Sequence, residues 1–550
     1  MPHADAIQDK AYQRRWAILV VLCVSLLVIV LDNSILNVAI PTLIRDLDAS
    51  NSQVQWMVDS YTLVFAGLLL TMGALGDRYG RRYALQAGYV LFGLGSLASA
   101  FATSADQLIA TRAFMGIGGA LIMPATLSII TNVFPPQERG RAIGVWAGTA
   151  GVGVALGPLT GGFLLDHFFW GSIFLVNVPI VIFGLIAGFV LIPNSKDPSA
   201  PKLDPVGALL SIAALVSIVY ALIEAPSEGW TSSSTLGILG AGLVILGIFV
   251  WWERRIDHPM LDVNFFRNPR FSAANAAITM TFFAMFGSIF LLTQYLQFTL
   301  GYTPLESGIR MLPYAITMMI VAPLSARIVE RIGSKITIAV GLSLAALSLV
   351  LFTGIGVDTS YADIAWRFVI LALGMALVMA PATDSVMGSL PLAKAGVGSA
   401  VNDTTRQVGG ALGVAIIGSV VSSVYGSKVG EFFVGKPAPK AAVDAAKNSL
   451  GGAIAVAQNV GKSAIPGAKQ LSESLVRTAN TAFVDAFHWG AIVGACVLAL
   501  GALIVVLFLP ARADEGLAPH PAAPPHPATA TDDATPVDER AAEVPEDVLS

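Results

Sequence analysis

The sequence predicts an all-α polytopic membrane protein of fourteen transmembrane helices, arranged as two parallel six-helix halves plus two inserted helices. Three observations carry this. The chain is 55% hydrophobic and 12% charged, with a mean hydropathy of +0.72, whereas a soluble domain averages about 25% charged residues. Apolar runs of roughly 17–25 residues, long enough to cross a bilayer, recur along its whole length. The two ends of the chain also repeat one another, as argued below.

The runs fall at 16–40, 54–75, 83–103, 107–131, 141–164, 170–193, 206–225, 235–252, 271–297, 304–326, 336–356, 362–388, 397–425 and 486–509. The first is too long for a signal-peptide core and ends in no small-residue cleavage site, so it reads as a retained helix. Basic residues set the orientation. With both termini cytoplasmic, the inner segments collect Arg14, Arg15, Arg78, Arg81, Arg82, Arg139, Arg141, Arg254, Arg255, Arg327, Arg331 and Lys394, among others. The short outer loops hold Arg45 alone. The expected order is therefore a cytoplasmic N-terminus at 1–15, a first half at 16–193, and inserted helices seven and eight with their flanking loops at 194–270. A second half follows at 271–510, with 426–485 as a long external loop whose Ala-rich pieces, 441–460 and 470–482, can form helices. The segment 511–550 holds nine acids against Arg512 and Arg540, a net of −7, which leaves +3 for the rest of a chain whose total is −4. Rich in Pro and Ala and poor in large apolar residues, it is expected to be a disordered cytoplasmic tail.

The duplication is legible residue by residue. The loop after span two, Asp77-Arg78-Tyr79-Gly80-Arg81-Arg82, returns after span ten as Glu330-Arg331-Ile332-Gly333-Ser334-Lys335, at an offset of 253. Span four holds Arg112 and span twelve Arg367. Span five aligns with span thirteen at an offset of 256, pairing Gly153 with Gly409, Gly157 with Gly413 and Gly162 with Gly418. Spans one to six thus match nine to fourteen, both beginning on the same side, the plan of a rocking transporter.

Other functions are excluded by what is missing. The two cysteines, Cys23 and Cys496, lie in apolar spans, and the six histidines show no HExxH or paired-ligand spacing. No GxxxxGK[ST] loop and no nucleophile–base pattern occurs, so neither an ATPase nor another enzyme is implied, and no cofactor or metal.

The chemistry lies instead in charges placed where a bilayer disfavours them. Asp32 is deep in span one and Asp59 in span two; each costs about 2.5–3.5 kcal/mol at mid-bilayer even on lenient scales, and such groups are functional by default. Arg112 in span four reaches a similar depth and can pair with either carboxylate. The repeat-equivalent spans nine and ten carry no matching acids, so proton chemistry is biased to the first half. In span thirteen Asp403 and Arg406 stand three residues apart and can neutralise one another. Trp56 shares a face with Asp59, and Phe174, Asn177, Gln294 and Tyr295 add apolar walls with polar tips. Acid among aromatics suits lipophilic cations. Asp77 ends a helix whose dipole disfavours it, so a neighbouring helix N-terminus or an Arg must compensate, and that latch breaks whenever the inner gate opens. Gly153, Gly157 and Gly161 form a small-residue stripe that admits another helix closely, and Pro158 permits a bend.

Together these motifs resemble the major facilitator superfamily, specifically its 14-helix drug:proton antiporters of the EmrB/QacA type, over about residues 15–510. Gly73-Ala74-Leu75-Gly76-Asp77-Arg78-Tyr79-Gly80-Arg81-Arg82 is similar to the superfamily's loop 2–3 signature. Leu31-Asp32 with Asn37-Val38-Ala39-Ile40-Pro41 looks like the first-helix motif of the 14-helix branch. Gly144, Gly153, Gly157, Pro158, Gly161 and Gly162 fall at the antiporter spacing of helix five. Leu108, Arg112, Gly116 and Gly118 match the helix-four motif, with Met115 where Gln is usual. Asn402, Arg406, Gln407, Gly409 and Gly410 resemble the pattern of span thirteen. The resemblance implies proton coupling or substrate contact at Asp32, Asp59, Arg112, Asp403 and Arg406. Asn37, Asn402 and Gln407 of these motifs, with Trp56, Phe174, Asn177, Gln294 and Tyr295 read from the residues themselves, are expected to line the cavity. Gating is assigned to Gly73, Asp77, Arg78, Gly80, Arg81 and the helix-five residues.

The expected function is proton-coupled multidrug efflux: export of small amphipathic, cationic or lipophilic compounds across a cytoplasmic membrane by a functional monomer. Its partners are the substrate, protons and lipid, with no nucleic acid. Alternatives are a dedicated exporter of one endogenous metabolite, natural product or lipid precursor on the same fold, and a non-transporting sensor or scaffold.

Overall fold

A computed structural model describes residues 12–47, 49, 51–197, 204–436, 438–462 and 467–510. The acidic tail at 511–550 and most of the N-terminal segment lie outside the described residues. No strand occurs among those described. A helix satisfies every backbone polar group within itself, so a chain this apolar has few other options in lipid.

The first half comprises α1 (Arg15–Asp46), α2 (Asn51–Tyr79), α3 (Arg81–Ala100), α4 (Ala105–Val133), α5 (Pro136–His167) and α6 (Asn177–Leu191). The inserted pair is α7 (Pro205–Glu228) and α8 (Ser233–Glu253). The second half comprises α9 (Pro269–Gln294), α10 (Leu312–Phe352), α11 (Tyr361–Gly388) and α12 (Ala395–Phe433), then two short helices, α13 (Lys440–Asn448) and α14 (Leu450–Gly461), and finally α15 (Ala468–Phe508). Polar caps mark many starts. Ser104, Asp204, Ser232 and Ser360 each accept a bond from a backbone N–H of the first turn. Thr303 and Glu306 close a reciprocal box before the short helix Pro304–Arg310.

Twelve helical segments among the described residues are long and apolar enough to cross a membrane. Two differences separate this from the expected fourteen. Spans ten and eleven form one run, α10, broken at Gly333, whose φ of 82° is not helical. Span three, α3, is not among the twelve, because Arg81, Arg82, Gln86, Ser96 and Ser99 dilute its hydropathy. The break at Gly333 has a counterpart at the repeated position: Gly80, between α2 and α3, has φ 121°. Side chains rarely adopt that conformation, so both repeats turn on a glycine.

Helix α7 packs into the molecule and α8 stays outside it. A Cβ on Gly67 of α2 would lie 2.6 Å from Val216 of α7, and Trp230 donates to Ser419 of α12 at 2.8 Å. Helix α7 itself also packs on α12, so it touches both halves along one side. Helix α8 packs on α7 through Gly242 and exposes Leu236, Leu243, Val244 and Trp251. Beyond the inserted pair, α12 and α15 have 39 and 41 residues. At 1.5 Å per residue each spans about 60 Å, twice the ~30 Å hydrocarbon layer. Their projecting ends carry α13 and α14: Tyr425 donates to the Ala446 carbonyl at 3.1 Å, and Lys428 pairs with Asp485. The stretch 470–482 belongs to α15 and is not a separate helix.

Candidate functional site

Four helices of the first half converge on one buried charge pair. Arg112 of α4 and Asp32 of α1 form an ion pair, the two residues being 0% and 2% exposed. Arg112 also donates from Nε to the Met57 carbonyl at 3.2 Å and from Nη2 to Asn33 Oδ1 at 3.4 Å. Its guanidinium lies 4.5 Å from the ring centre of Tyr61. The second oxygen of Asp32 accepts from Asn177 Nδ2 at 2.8 Å, and Asn177 also donates to Ser96 Oγ at 3.1 Å. Both charges are thus bonded and shut away from solvent. Such a pair contributes little net stability, but losing one partner costs about 3–5 kcal/mol. A proton on Asp32 would withdraw the anion from Arg112 and leave that cation with a carbonyl, an amide and a ring face. This arrangement can convert protonation into a helix-scale force.

Arg112 makes its ion pair with Asp32. Asp59 is half-buried, two residues before Tyr61 on the same helix. Asn177, expected as a cavity wall, is a bonded member of the charge network. Other assignments need correction. Trp56 packs on Tyr220 of the inserted helix, ring centres 5.9 Å apart. Phe174 is 1% exposed and packs edge-on against Trp170, a core residue and not a cavity wall. Tyr295 is fully buried in the second half, donates to the Gly356 carbonyl at 2.6 Å and packs against Phe487; Gln294 beside it is half-buried. The side chain of Asn37 lies outside the described residues. Asn402 is fully buried next to Asp403 and Arg406 in the second half, and Gln407 is half-buried.

The halves are latched at one end. Asp77, closing α2, accepts from Gly396 N at 2.9 Å and Val397 N at 3.0 Å, the first turn of α12, and from Arg81 Nε at 2.8 Å. Arg81 reaches across to the Leu392 and Ala393 carbonyls at 2.8 and 3.1 Å. A carboxylate at a helix N-terminus meets both unpaired N–H groups and the positive end of the dipole. Gly73 lets the two backbones close: a Cβ there would sit 2.7 Å from the Gly396 carbonyl. Arg78 is half-buried beside the latch and borders, with Thr71, Asp204, Met260 and Lys394, a cavity that opens there. Replacing Asp77 with Asn should loosen this end. In a background lacking Cys23 and Cys496, a Cys at Val397 is expected to react with maleimide about tenfold faster, one to two kcal/mol being the usual scale of such a contact. Unchanged labelling would rule out the latch.

The helix-five residues divide between two partners. Gly153 and Gly157 press on α1, where a built Cβ would lie 2.8 Å from Val30 and 2.2 Å from Ser34. Gly161 makes ordinary contacts with Ile35 and Val38, and Gly162 has only Leu305 at 3.8 Å, so neither is sterically required. Pro158 faces the other half, 2.9 Å from a Cβ built on Gly308. The repeat follows the same plan: Gly409 and Gly413 of α12 press on the Thr279 and Phe283 carbonyls of α9. Arg367, the counterpart of Arg112, donates to the Leu351 carbonyl at 3.0 Å.

A family model described as "Major Facilitator Superfamily" matches residues 22–414. The chain is 36% identical over 497 residues to the multidrug efflux pump LfrA of Mycolicibacterium smegmatis, covering 90% of this chain and 96% of that protein. It is 35% identical to the methyl viologen resistance protein SmvA of Salmonella typhimurium, covering 76% and 84%. It is 34% identical to the tetracenomycin C resistance and export protein of Streptomyces glaucescens, covering 77% and 78%. Among solved structures, the human organic anion transporter MFSD10 superimposes with a TM-score of 0.58 at 13% identity, covering 89% and 98%. The proton:xylose symporter XylE does so with 0.54 at 15%, covering 90% and 96%; both likenesses concern the fold alone.

Proposed function

The chain belongs to the major facilitator superfamily, and from that premise we propose that it is a proton-coupled exporter of small amphipathic compounds. The observation that carries the reading is the dry Asp32–Arg112–Asn177 network, a titratable carboxylate whose charge state decides whether a buried cation is paired. The Asp77 latch supplies the second requirement, an end of the molecule that is closed in one state and free to part in another. The relatives named for efflux, resistance and export support the outward direction, and the one named for methyl viologen resistance supports a cationic compound among the substrates.

In this reading substrate enters from the cytoplasm or inner leaflet while the Asp77 end is open, and external protons load Asp32, Asp59 or both and displace it outward. Protein in liposomes is expected to move ethidium against its gradient when a pH gradient is imposed, and to stop when a protonophore collapses it. Movement indifferent to the protonophore would overturn proton coupling; no movement or counterflow of any dye in a panel would overturn export.

The orientation belongs to the same proposal. Gly333 and α3 supply the two further crossings that make fourteen, both termini and the Asp77 end are cytoplasmic, and 426–485 is external. The basic residues of the inner loops support this. A Cys placed at Lys447 is expected to react with an impermeant maleimide on intact cells; reaction only after lysis would reverse the topology.

A further inference from the structure

A pair of buried acids, apart from the Asp32 network, joins the two inserted helices at the Asp77 end. Asp204 caps the start of α7 and Glu253 ends α8; they are 6% and 3% exposed. Asp204 Oδ1 accepts from Gly207 N at 2.9 Å, and Trp252 Nε1 lies 3.1 Å from Oδ1 and 2.9 Å from Oδ2. Glu253 Oε2 accepts from Leu261 N at 3.1 Å, while its Oε1 is buried with no hydrogen-bond partner. That bare oxygen faces Asp204. A Cβ built on Gly207 would strike both Asp204 Oδ2 and Glu253 Oε1, so only the absence of a side chain there lets the two carboxyls meet.

Two carboxylates this close cannot both stay ionised in a buried site unless a cation sits with them. Among the described residues no Lys, Arg or His pairs with either one. No third His, Cys, Asp or Glu among them joins the pair to hold a metal ion. The donors present are backbone and indole N–H groups, and they favour Asp204 as the anion. It has two of them and stands at the positive, N-terminal end of α7. Glu253 stands at the negative, C-terminal end of α8. A proton on Glu253 Oε1 removes the repulsion and turns a bare acceptor into a donor to Asp204 Oδ2, the one hydrogen bond this site lacks.

The pair forms one wall of the cavity beside the latch. Asp204 and Met260 line it from the inserted side, and Asp77 and Arg78 of α2, Asp197 and Lys394 from the other. These are also the charged groups that face the pair. Asp197 and Lys394 approach to 3.6 Å, Asp77 and Arg81 are bonded into the latch, and the Asp197 N–H donates to the Asp77 carbonyl at 2.7 Å. On the inserted side Arg255 stacks on Trp251, Asp262 caps its own turn, and Arg254, Asp257 and His258 are exposed. The remaining acids of α7, Glu224 and Glu228, lie at its far end. Leu261 follows Met260, so its bond to Glu253 ties this cavity wall to the end of α8.

We propose that Asp204 and Glu253 hold a single proton between them and act as a pH-operated clip, shut while the proton is held and released when it is lost, uncovering the cavity beside Asp77. The direction follows from the bond itself. The clip exists only with its proton, so it persists at low pH and opens as pH rises. Once the proton leaves, the two anions repel, and Glu253 moves away with Leu261 and Met260. The Asp77 end thereby answers to the pH of the solution it faces. The inference is independent of the export reading, because this proton stays in the clip and is not carried across the membrane.

The test uses two exposed positions, Val206 at the start of α7 and His258 beyond the end of α8. Val206→Cys and His258→Cys, in the full chain lacking Cys23 and Cys496, carry spin labels whose separation is read by pulsed electron spin resonance over a pH series. One short distance is expected at acidic pH. A longer one should grow in as pH rises, the ratio of long to short increasing about tenfold per pH unit, as for any one-proton equilibrium. In this reporter chain Glu253→Gln offers Asp204 a permanent amide donor. Asp204→Asn offers one to an ionised Glu253 while keeping an oxygen for Gly207 N. Each is expected to hold the short distance at every pH, and where one fails to fold the other decides. A reporter distance that ignores pH, or variants that open with pH as the reporter does, would overturn the proposal. The infrared C=O band of a protonated carboxyl is the companion readout. Its loss should track the longer distance in the reporter chain, and opening with that band unchanged would assign the event to another group and overturn the clip.

Discussion

Replacing Asp32 with asparagine is expected to abolish uphill, proton-driven transport while substrate binding survives. The substitution keeps size and polarity, so the bond from Asn177 can persist after an amide rotation. It removes the titratable proton and leaves Arg112 without its anion in a site that is 0% exposed. Breaking one partner of a buried pair costs about 3–5 kcal/mol, two to three powers of ten or more in a conformational equilibrium. The variant is therefore expected to sit permanently in the state the wild type visits when protonated. The measurement is ethidium movement driven by a pH gradient in liposomes, beside equilibrium binding of the same dye and a check that the protein remains monodisperse. Uphill pumping by Asp32→Asn would show that Asp32 is not an obligatory carrier and shift that role to Asp59 or Asp403.

Gly157→Leu is expected to lower transport at least about tenfold, because overpacking a filled interface forces backbone shifts worth about 1–3 kcal/mol. Even a Cβ at this position would lie 2.2 Å from Ser34 Oγ and 3.0 Å from the Ser34 carbonyl carbon. Ser34 is two residues beyond Asp32, so the displacement of α1 reaches the charge network directly. Gly157→Ala should show a milder form of the same loss. Ser34→Gly removes the Oγ and Cβ that a methyl group would meet, and should restore part of the activity of Gly157→Ala. Wild-type efflux by Gly157→Leu would end the close-packing argument. By contrast Gly162, whose nearest neighbour to a built Cβ is 3.8 Å away, should tolerate Ala.

Much of the site was legible because it violates a strong rule. A charge in an apolar span stands out wherever it falls, so Asp32, Arg112, Asp403 and Arg406 could be chosen without coordinates. Their depth, counted at 1.5 Å per residue, also narrowed Arg112 to two candidate partners. Which one it takes was not legible, since that depends on how α1 and α2 rotate against α4. The aromatics misled for a related reason. A helix apolar on every side carries no face signal, so Phe174, Tyr295 and Trp56 looked alike as cavity walls, although two are core residues and one packs on the inserted helix. Tyr61 and Ser96 were missed altogether, being ordinary residues until another helix brings a charge to them.

Composition, basic-residue bias and the repeat at offsets of 253 and 256 determined on their own that this is an all-helical membrane protein made of two related halves. Those properties depend on transfer energies and local backbone preferences, which act on each segment by itself. Only the tertiary structure decided that Asp77 caps α12 more than three hundred residues away, that α7 is wedged against both halves while α8 stands outside, and that Arg112 belongs to Asp32. Each of these is a contact between separate helices, set by where glycines such as Gly73, Gly67 and Gly157 allow backbones to close. Hydrocarbon surrounds every helix alike and offers no preference among such contacts, so packing alone selects them.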